Sequence, residues 1–256
     1  MDSEDKTTRL STREQPWVSL NRIAQRVAIG LSIDSDVPPS CPDCFGTGMA
    51  ILPDEGAKRC HCEIERVRVE TLSLALSKIP YRYKDAELST LKPRIDLHPK
   101  QSEIVEYMPG HLEDNYFLCG RPDSGKTHFY WTLYRDRAVR GVPVFASKLF
   151  DLIEGIKAHM FNGAPSPLPA LDVPRISIFL EDVNKARPTE FVAERFFNFL
   201  DDIYNRQHQI VVTSQISPED LIKYFHKVDD QGVTVVDGSA IVRRMKNDET
   251  AIFRLF

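Results

Sequence analysis

The segment Gly120-Arg-Pro-Asp-Ser-Gly125-Lys126-Thr127 fits the pattern G-x-x-x-x-G-K-[ST]. Two glycines let the backbone wrap an anion, successive amides and the start of the following helix point at it, a lysine balances the β- and γ-phosphate charge, and a hydroxyl is offered to Mg²⁺. The flanks read as this chemistry needs: an apolar strand, NYFLCG, runs in, and a helix, KTHFYWTLYRDRAV, runs out. The bland alternative, a glycine turn with a solvated lysine, would not require that order.

A phosphate-binding loop also needs a carboxylate at the end of a neighbouring buried strand to hold the metal and its water. Ile176 to Leu180 is such a strand, and Glu181 and Asp182 follow it. A third apolar stretch, QIVVTSQ, ends in Gln215, which could orient a water or sense the γ-phosphate, or be a turn residue before a helix capped by Ser217. Near the C-terminus, Ser239 reads as the N-cap of AIVRRMK, with Ile241 and Met245 facing the core. Arg243 and Arg244 then lie at the helix edge, as a solvated basic face or as an arginine that stabilises transferring charge on a neighbouring subunit's nucleotide.

Four of the five cysteines, Cys41, Cys44, Cys60 and Cys62, form a C-x2-C…C-x-C array with 15 residues between the pairs. Four thiolates suit a tetrahedral zinc, and Gly-Thr-Gly after the first pair allows a tight knuckle turn. C-x-C is a tight bite, so His61 could replace Cys60 or Cys62. Clustered cysteines without an export signal favour metal over disulfides.

Around these residues, the 256-residue chain reads as one main domain with an appendage. Its 42% hydrophobic and 27% charged residues are ordinary for a globular protein, and no apolar run approaches a membrane span. The start has no signal-peptide core, so a cytoplasmic location is expected. A net charge of −4 leaves any DNA contact local. Trp17, Leu20, Ile23, Ala24, Val27 and Leu31 have helical spacing, and residues 32–40 form a linker. After Cys62 a charge-rich helix is expected to end at Ile79-Pro80. From about residue 113, apolar runs at 116–119, 142–146, 176–180, 210–213 and 250–255 alternate with amphipathic helices, as in a parallel α/β sheet covered on both faces. The proline-rich stretch 162–174 reads as a functional or disordered loop. The expected divisions are 1–40, a zinc module at 41–62, a helical connector at 63–110 and the nucleotide domain at 111–256.

In order along the chain, CPDCFGTG…CHC, IPYRYKDAEL, CGRPDSGKTH, FLEDVNKARPTEF, VVTSQIS and SAIVRRM resemble the DnaC/IstB-like AAA+ ATPases over about residues 41–256. These are helicase loaders and ATP-binding partners of transposases. The resemblance implies a five-stranded parallel αβα sandwich that assembles into oligomers with ATP and Mg²⁺ between subunits. Gly120, Arg121, Pro122, Asp123, Ser124, Gly125, Lys126 and Thr127 would be the Walker A loop, with His128 directly behind. Glu181 and Asp182 would be the Walker B pair, Gln215 the first sensor and Arg244 the finger. The family usually has Asp where Glu181 stands, Asn where Gln215 stands and a small residue where Arg243 stands. A methylene moves a carboxylate by about 1.5 Å, so ATP binding with slow hydrolysis is implied. The implied partners are a replicative DNA helicase and single-stranded DNA, with residues 1–110 gripping the helicase through the zinc module and no membrane involved. A transposition partner of the IstB type and a nucleotide-gated adaptor are the alternatives.

Overall fold

The computed structural model describes residues 41–52, 56–94, 98–228, 230–246 and 250–256. The helix expected over Trp17–Leu31 and the linker at 32–40 lie outside these residues. Two compact units divide the chain between Ser77 and Lys78. In the first, strands β1 (Met49–Leu52) and β2 (Gly56–Arg59) form an antiparallel hairpin with Met49 opposite Arg59. Helix α1 (His61–Ser77) follows, with Arg66 bridging Glu63 and Glu70 at 2.7 and 2.6 Å. It stops two residues short of Ile79-Pro80.

The second unit begins with irregular chain and the helix α2 (Gln101–Tyr107), then enters an alternation of strands and helices. These are β3 (Tyr116–Gly120), α3 (Lys126–Val139), β4 (Val144–Lys148), α4 (Leu149–Asn162), β5 (Ser177–Glu181), α5 (Glu190–Asn205), β6 (Gln209–Ser214) and α6 (Pro218–Phe225). A small hairpin of β7 (Lys227–Val228) and β8 (Thr234–Val236) precedes α7 (Gly238–Met245) and the final strand β9 (Ala251–Leu255). Five strands make one parallel sheet in the order β4-β5-β6-β3-β9.

Strands β3 and β6 are buried along their whole length, which is why their sequences lack apolar–polar alternation. One layer of the core joins α5 through Val192, Phe196, Phe199, Leu200 and Ile203 to the sheet. On α3, Tyr130 and Tyr134 stand edge-on to Phe179 of β5 with centroids 5.3 and 5.2 Å away, and the Tyr130 hydroxyl donates to Phe179 O at 3.0 Å. Aromatic edges meeting faces add to simple area burial.

The expected elements are present with local shifts. Strand β4 starts at Val144, because Val142 N–H closes the end of α3 on Arg137 O at 3.0 Å and Pro143 has no N–H to give. Strand β5 keeps Glu181 as its last residue, paired with Lys148. Ser217 does cap α6, accepting from Asp220 N–H. Ser239, however, is not the cap of α7: Asp237 is, and its carboxylate accepts from Ser239 N–H at 2.9 Å and from the Ser239 hydroxyl at 2.8 Å. Aspartate and serine rank alike as caps, and the helix begins at Gly238, which gives the position to Asp237. The 162–174 stretch has no regular structure after Asn162, but Leu171 and Val173 pack on the core.

Phe179→Ala should lower unfolding free energy by about 3–5 kcal/mol, read from the urea midpoint, because its ring is fully buried between two tyrosines.

Candidate functional site

The loop from Gly120 to Thr127 leaves the C-terminal end of β3 and enters α3. Gly120 has φ +154°, and a Cβ there would stand 2.2 Å from Leu255 O, so β9 approaches too closely for any side chain. Gly125, φ +92°, is the left-handed N-cap of α3. Ser124 is fully buried. Lys126 folds back over the loop: its ammonium donates to Gly120 O at 2.8 Å, Arg121 O at 2.7 Å and Ser124 Oγ at 3.3 Å. Burial, partly opposed by the Asp182 charge, holds that ammonium below the ordinary lysine range. A phosphate at the loop would supply the anionic partner in place of these neutral oxygens.

Thr127 Oγ1 donates to Glu181 Oε1 at 3.1 Å. Burial pushes the Glu181 carboxyl above its ordinary range, and the Thr127 hydrogen bond pulls the other way. Asp182 takes φ +55° as the first residue past β5. Its N–H donates to Thr213 Oγ1 at 3.0 Å, and its carboxylate meets Lys185 Nζ at 2.8 Å. Thr127, Glu181 and Asp182 thus gather an oxygen-only donor set at the same edge of the sheet, the set that hard divalent cations take. Gln215 follows β6 on that edge, its N–H donating to Asn184 Oδ1 at 2.8 Å.

Arg244 is elsewhere. Its Nε donates to Asp201 Oδ1 at 2.9 Å, and its guanidinium lies 5.3 and 5.4 Å from the ring centres of Phe197 and Tyr204. It lines a cavity of about 550 Å³ with residues that precede β3, β5 and β6, such as Asn115, Ile176 and His208. The strands are parallel, so this is the edge opposite the Gly120–Thr127 loop. The structure therefore does not bring Arg244 to its own subunit's loop. Arg243 is exposed and lies 4.0 Å from Asp237.

A second cavity, about 510 Å³, lies against the loop and reveals residues that sequence reasoning missed. Asp123, Gly125, Lys126, Thr127, His128 and Phe129 form one wall; Arg82, Tyr83, Leu91, Lys92, Arg94 and Gln101 form the other. Tyr83 and His128 meet edge to face across it at 6.4 Å. Arg135 of α3 fastens the far wall, hydrogen-bonding Lys84 O and pairing with Glu87 at 3.4 Å. The two tyrosines and two cations of the IPYRYKDAEL segment are the available signal.

In the first unit the sulfurs of Cys41, Cys44, Cys60 and Cys62 all lie within 4.8 Å of one another, with Cys41–Cys60 at 3.6 Å and Cys44–Cys62 at 3.4 Å. Four sulfurs each about 2.3 Å from one zinc would stand about 3.8 Å apart by tetrahedral geometry, so the cluster fits the ion. Phe45, Gly46 and Gly48 take positive φ in the first knuckle, and Phe45 N–H reaches back to Cys41 O at 2.7 Å. The second pair opens α1, where Ile64 N–H donates to Cys60 O at 3.1 Å. His61 Nδ1 lies 3.3 Å from Asp43 and 3.7 Å from Cys60 Sγ, and with Cys41 these make a second group within 4.8 Å, but His61 and Asp43 are exposed whereas three of the four thiols are buried. Purified protein should carry about one zinc per chain by metal analysis, and Cys44→Ser should lose it to a chelator that the unaltered chain resists. A fully reduced chain without zinc would contradict the cluster's assignment.

No protein-family model matches this sequence, and no curated protein does. Solved structures do. The DnaC helicase loader superposes with a TM-score of 0.54 and 18% identity over 68% of this chain and 99% of that one. DnaI gives 0.51 and 17% over 71% and 96%. AMPPCP-bound DnaA from Aquifex aeolicus gives 0.50 and 19% over 67% of this chain and 51% of its own. At such identities the likeness is one of fold. The chain shares its fold with the helicase loader DnaC, with DnaI and with DnaA.

Proposed function

We propose that this chain is an ATP-binding helicase loader of the DnaC/IstB type that places a replicative DNA helicase on single-stranded DNA and hydrolyses ATP slowly. The observation that carries the reading is the convergence of Lys126, Thr127, Glu181 and Asp182 at one sheet edge of a fold shared with a helicase loader. Lys126 and loop amides such as that of Gly125 hold the phosphates, and the Tyr83–Arg94 wall takes the base and ribose. Mg²⁺, held by Thr127, Glu181 and Asp182, would neutralise charge on the transferring phosphoryl group. Gln215 sits at the end of β6, where a water could be oriented. Arg244, on the opposite edge, serves a neighbouring subunit's nucleotide, which makes the working form a homo-oligomer. The zinc module of Cys41, Cys44, Cys60 and Cys62 serves as a docking platform, and residues 1–110 grip the helicase.

One feature favours a second reading, a nucleotide-gated adaptor with little turnover. Asp182 is short, stands in a left-handed conformation and is paired with Lys185, so it is poorly free to act on water.

Asp182→Ala should leave ATP affinity within about threefold and abolish hydrolysis, whereas Lys126→Ala should weaken binding itself, seen by fluorescent-nucleotide titration. Exchanging the acids, Glu181→Asp with Asp182→Glu, should raise turnover about tenfold if reach limits the rate; no change would favour the adaptor. The partner is tested by capture of the replicative helicase with ATP, with ADP and without nucleotide, followed by sizing. Nucleotide-dependent capture in fixed stoichiometry supports the loader, and absence of capture in every state would shift the assignment to a transposition partner.

A further inference from the structure

We propose that Gln101, which lies outside the phosphate-loop pattern, is a positioning residue that locks the Ser124–Gly125 peptide in the orientation an anion needs. The inference rests on the nucleotide reading of the loop and adds a determinant to it. Gln101 opens α2 and is 4% exposed. Its Oε1 accepts from Arg94 N–H at 2.8 Å, which fixes which end of the carboxamide is oxygen. The other end, Nε2, donates to Ser124 O at 2.9 Å.

A trans peptide is planar, with its C=O and N–H pointing opposite ways. Once Gln101 holds the Ser124 carbonyl, the Gly125 N–H of the same peptide must point away from Gln101. That N–H donates to no protein group among the described residues, which leaves it available to a ligand. Gly125 has φ +92°, a conformation that favours glycine, and a Cβ there would lie 2.7 Å from Gln101 Nε2. Glycine also leaves this peptide free to rotate. A flipped peptide would turn the Ser124 oxygen, with its partial negative charge, toward the phosphates. Gln101 removes that state by a buried hydrogen bond whose loss is not compensated by water.

The test measures binding of ATP and of inorganic tripolyphosphate to the full chain by calorimetry. Tripolyphosphate has no base or ribose, so it reports the loop alone. Gln101→Leu should weaken both ligands by about tenfold or more while the protein stays folded by circular dichroism. Gln101→Glu keeps the acceptor for Arg94 N–H, lacks the Nε2 donor, and should show the same joint loss; it serves if the leucine variant does not fold. Tripolyphosphate affinity within about twofold of the unaltered chain, in either folded variant, overturns the proposal, including the case where ATP alone weakens. An unaltered chain that binds neither ligand overturns the nucleotide reading, and this inference with it.

Discussion

Five strands running the same way bring all their carboxyl ends to one edge, and the gathering of Lys126, Thr127, Glu181 and Asp182 depends on that alignment. Register does the fine placement. Cys119, the last residue before the loop, pairs with Ser214, and Glu181 pairs with Lys148, so the β3, β5 and β6 exits lie side by side. Thr213 then carries the ladder past the strand ends: its hydroxyl accepts from Asp182 N–H and its carbonyl from Val183 N–H at 3.1 Å. Asp182 can therefore hold φ +55°, because the backbone on both sides is fixed.

The opposite edge is built differently. Arg137, 5% exposed along its side chain, donates to Ser177 Oγ at 3.2 Å and lies 3.4 Å from Glu113. Ser177 in turn donates to Gln209 Oε1 at 2.6 Å, and Gln209 Nε2 reaches Leu112 O and Asp114 O. A buried guanidinium is tolerable only when its donors are met, and this chain of bonds meets them while tying the amino ends of β3, β5 and β6 together. Arg244 stands beside this network, clamped by Asp201 and two rings. One edge of the sheet thus carries the loop and its carboxylates, and the other is tied by a polar network that lines the cavity of about 550 Å³ beside Arg244.

The strands, the glycine loop after β3 and the cysteine array could be read because each has a local signature: an apolar run of fixed length, a glycine spacing, a thiol spacing. What could not be read is contact across the chain. Gln101 meets Ser124 from 23 residues away, and nothing in the residues around Gln101 marks it. Arg82, Lys92 and Arg94 read as surface charge until the wall they line is seen. The β7–β8 hairpin is too short and too exposed to leave a pattern. The choice between Asp237 and Ser239 as cap turns on where the helix begins, which propensity alone does not decide. The role of Arg244 stays undivided by pattern for a similar reason: its partners, Asp201 and Tyr204, sit on a helix some forty positions earlier.

The contact of Gly120 with Leu255 couples the loop to the rim of the sheet. Strand β3 is the fourth of five in the sheet and takes one neighbour from β9, an edge strand. The Leu255 carbonyl stands 2.2 Å from where a Cβ on Gly120 would be, so the loop keeps its path only while β9 stays docked. Fraying of that edge strand would loosen the Gly120 turn without touching any side chain of the loop, so the local stability of an edge strand sets how long the loop holds its shape.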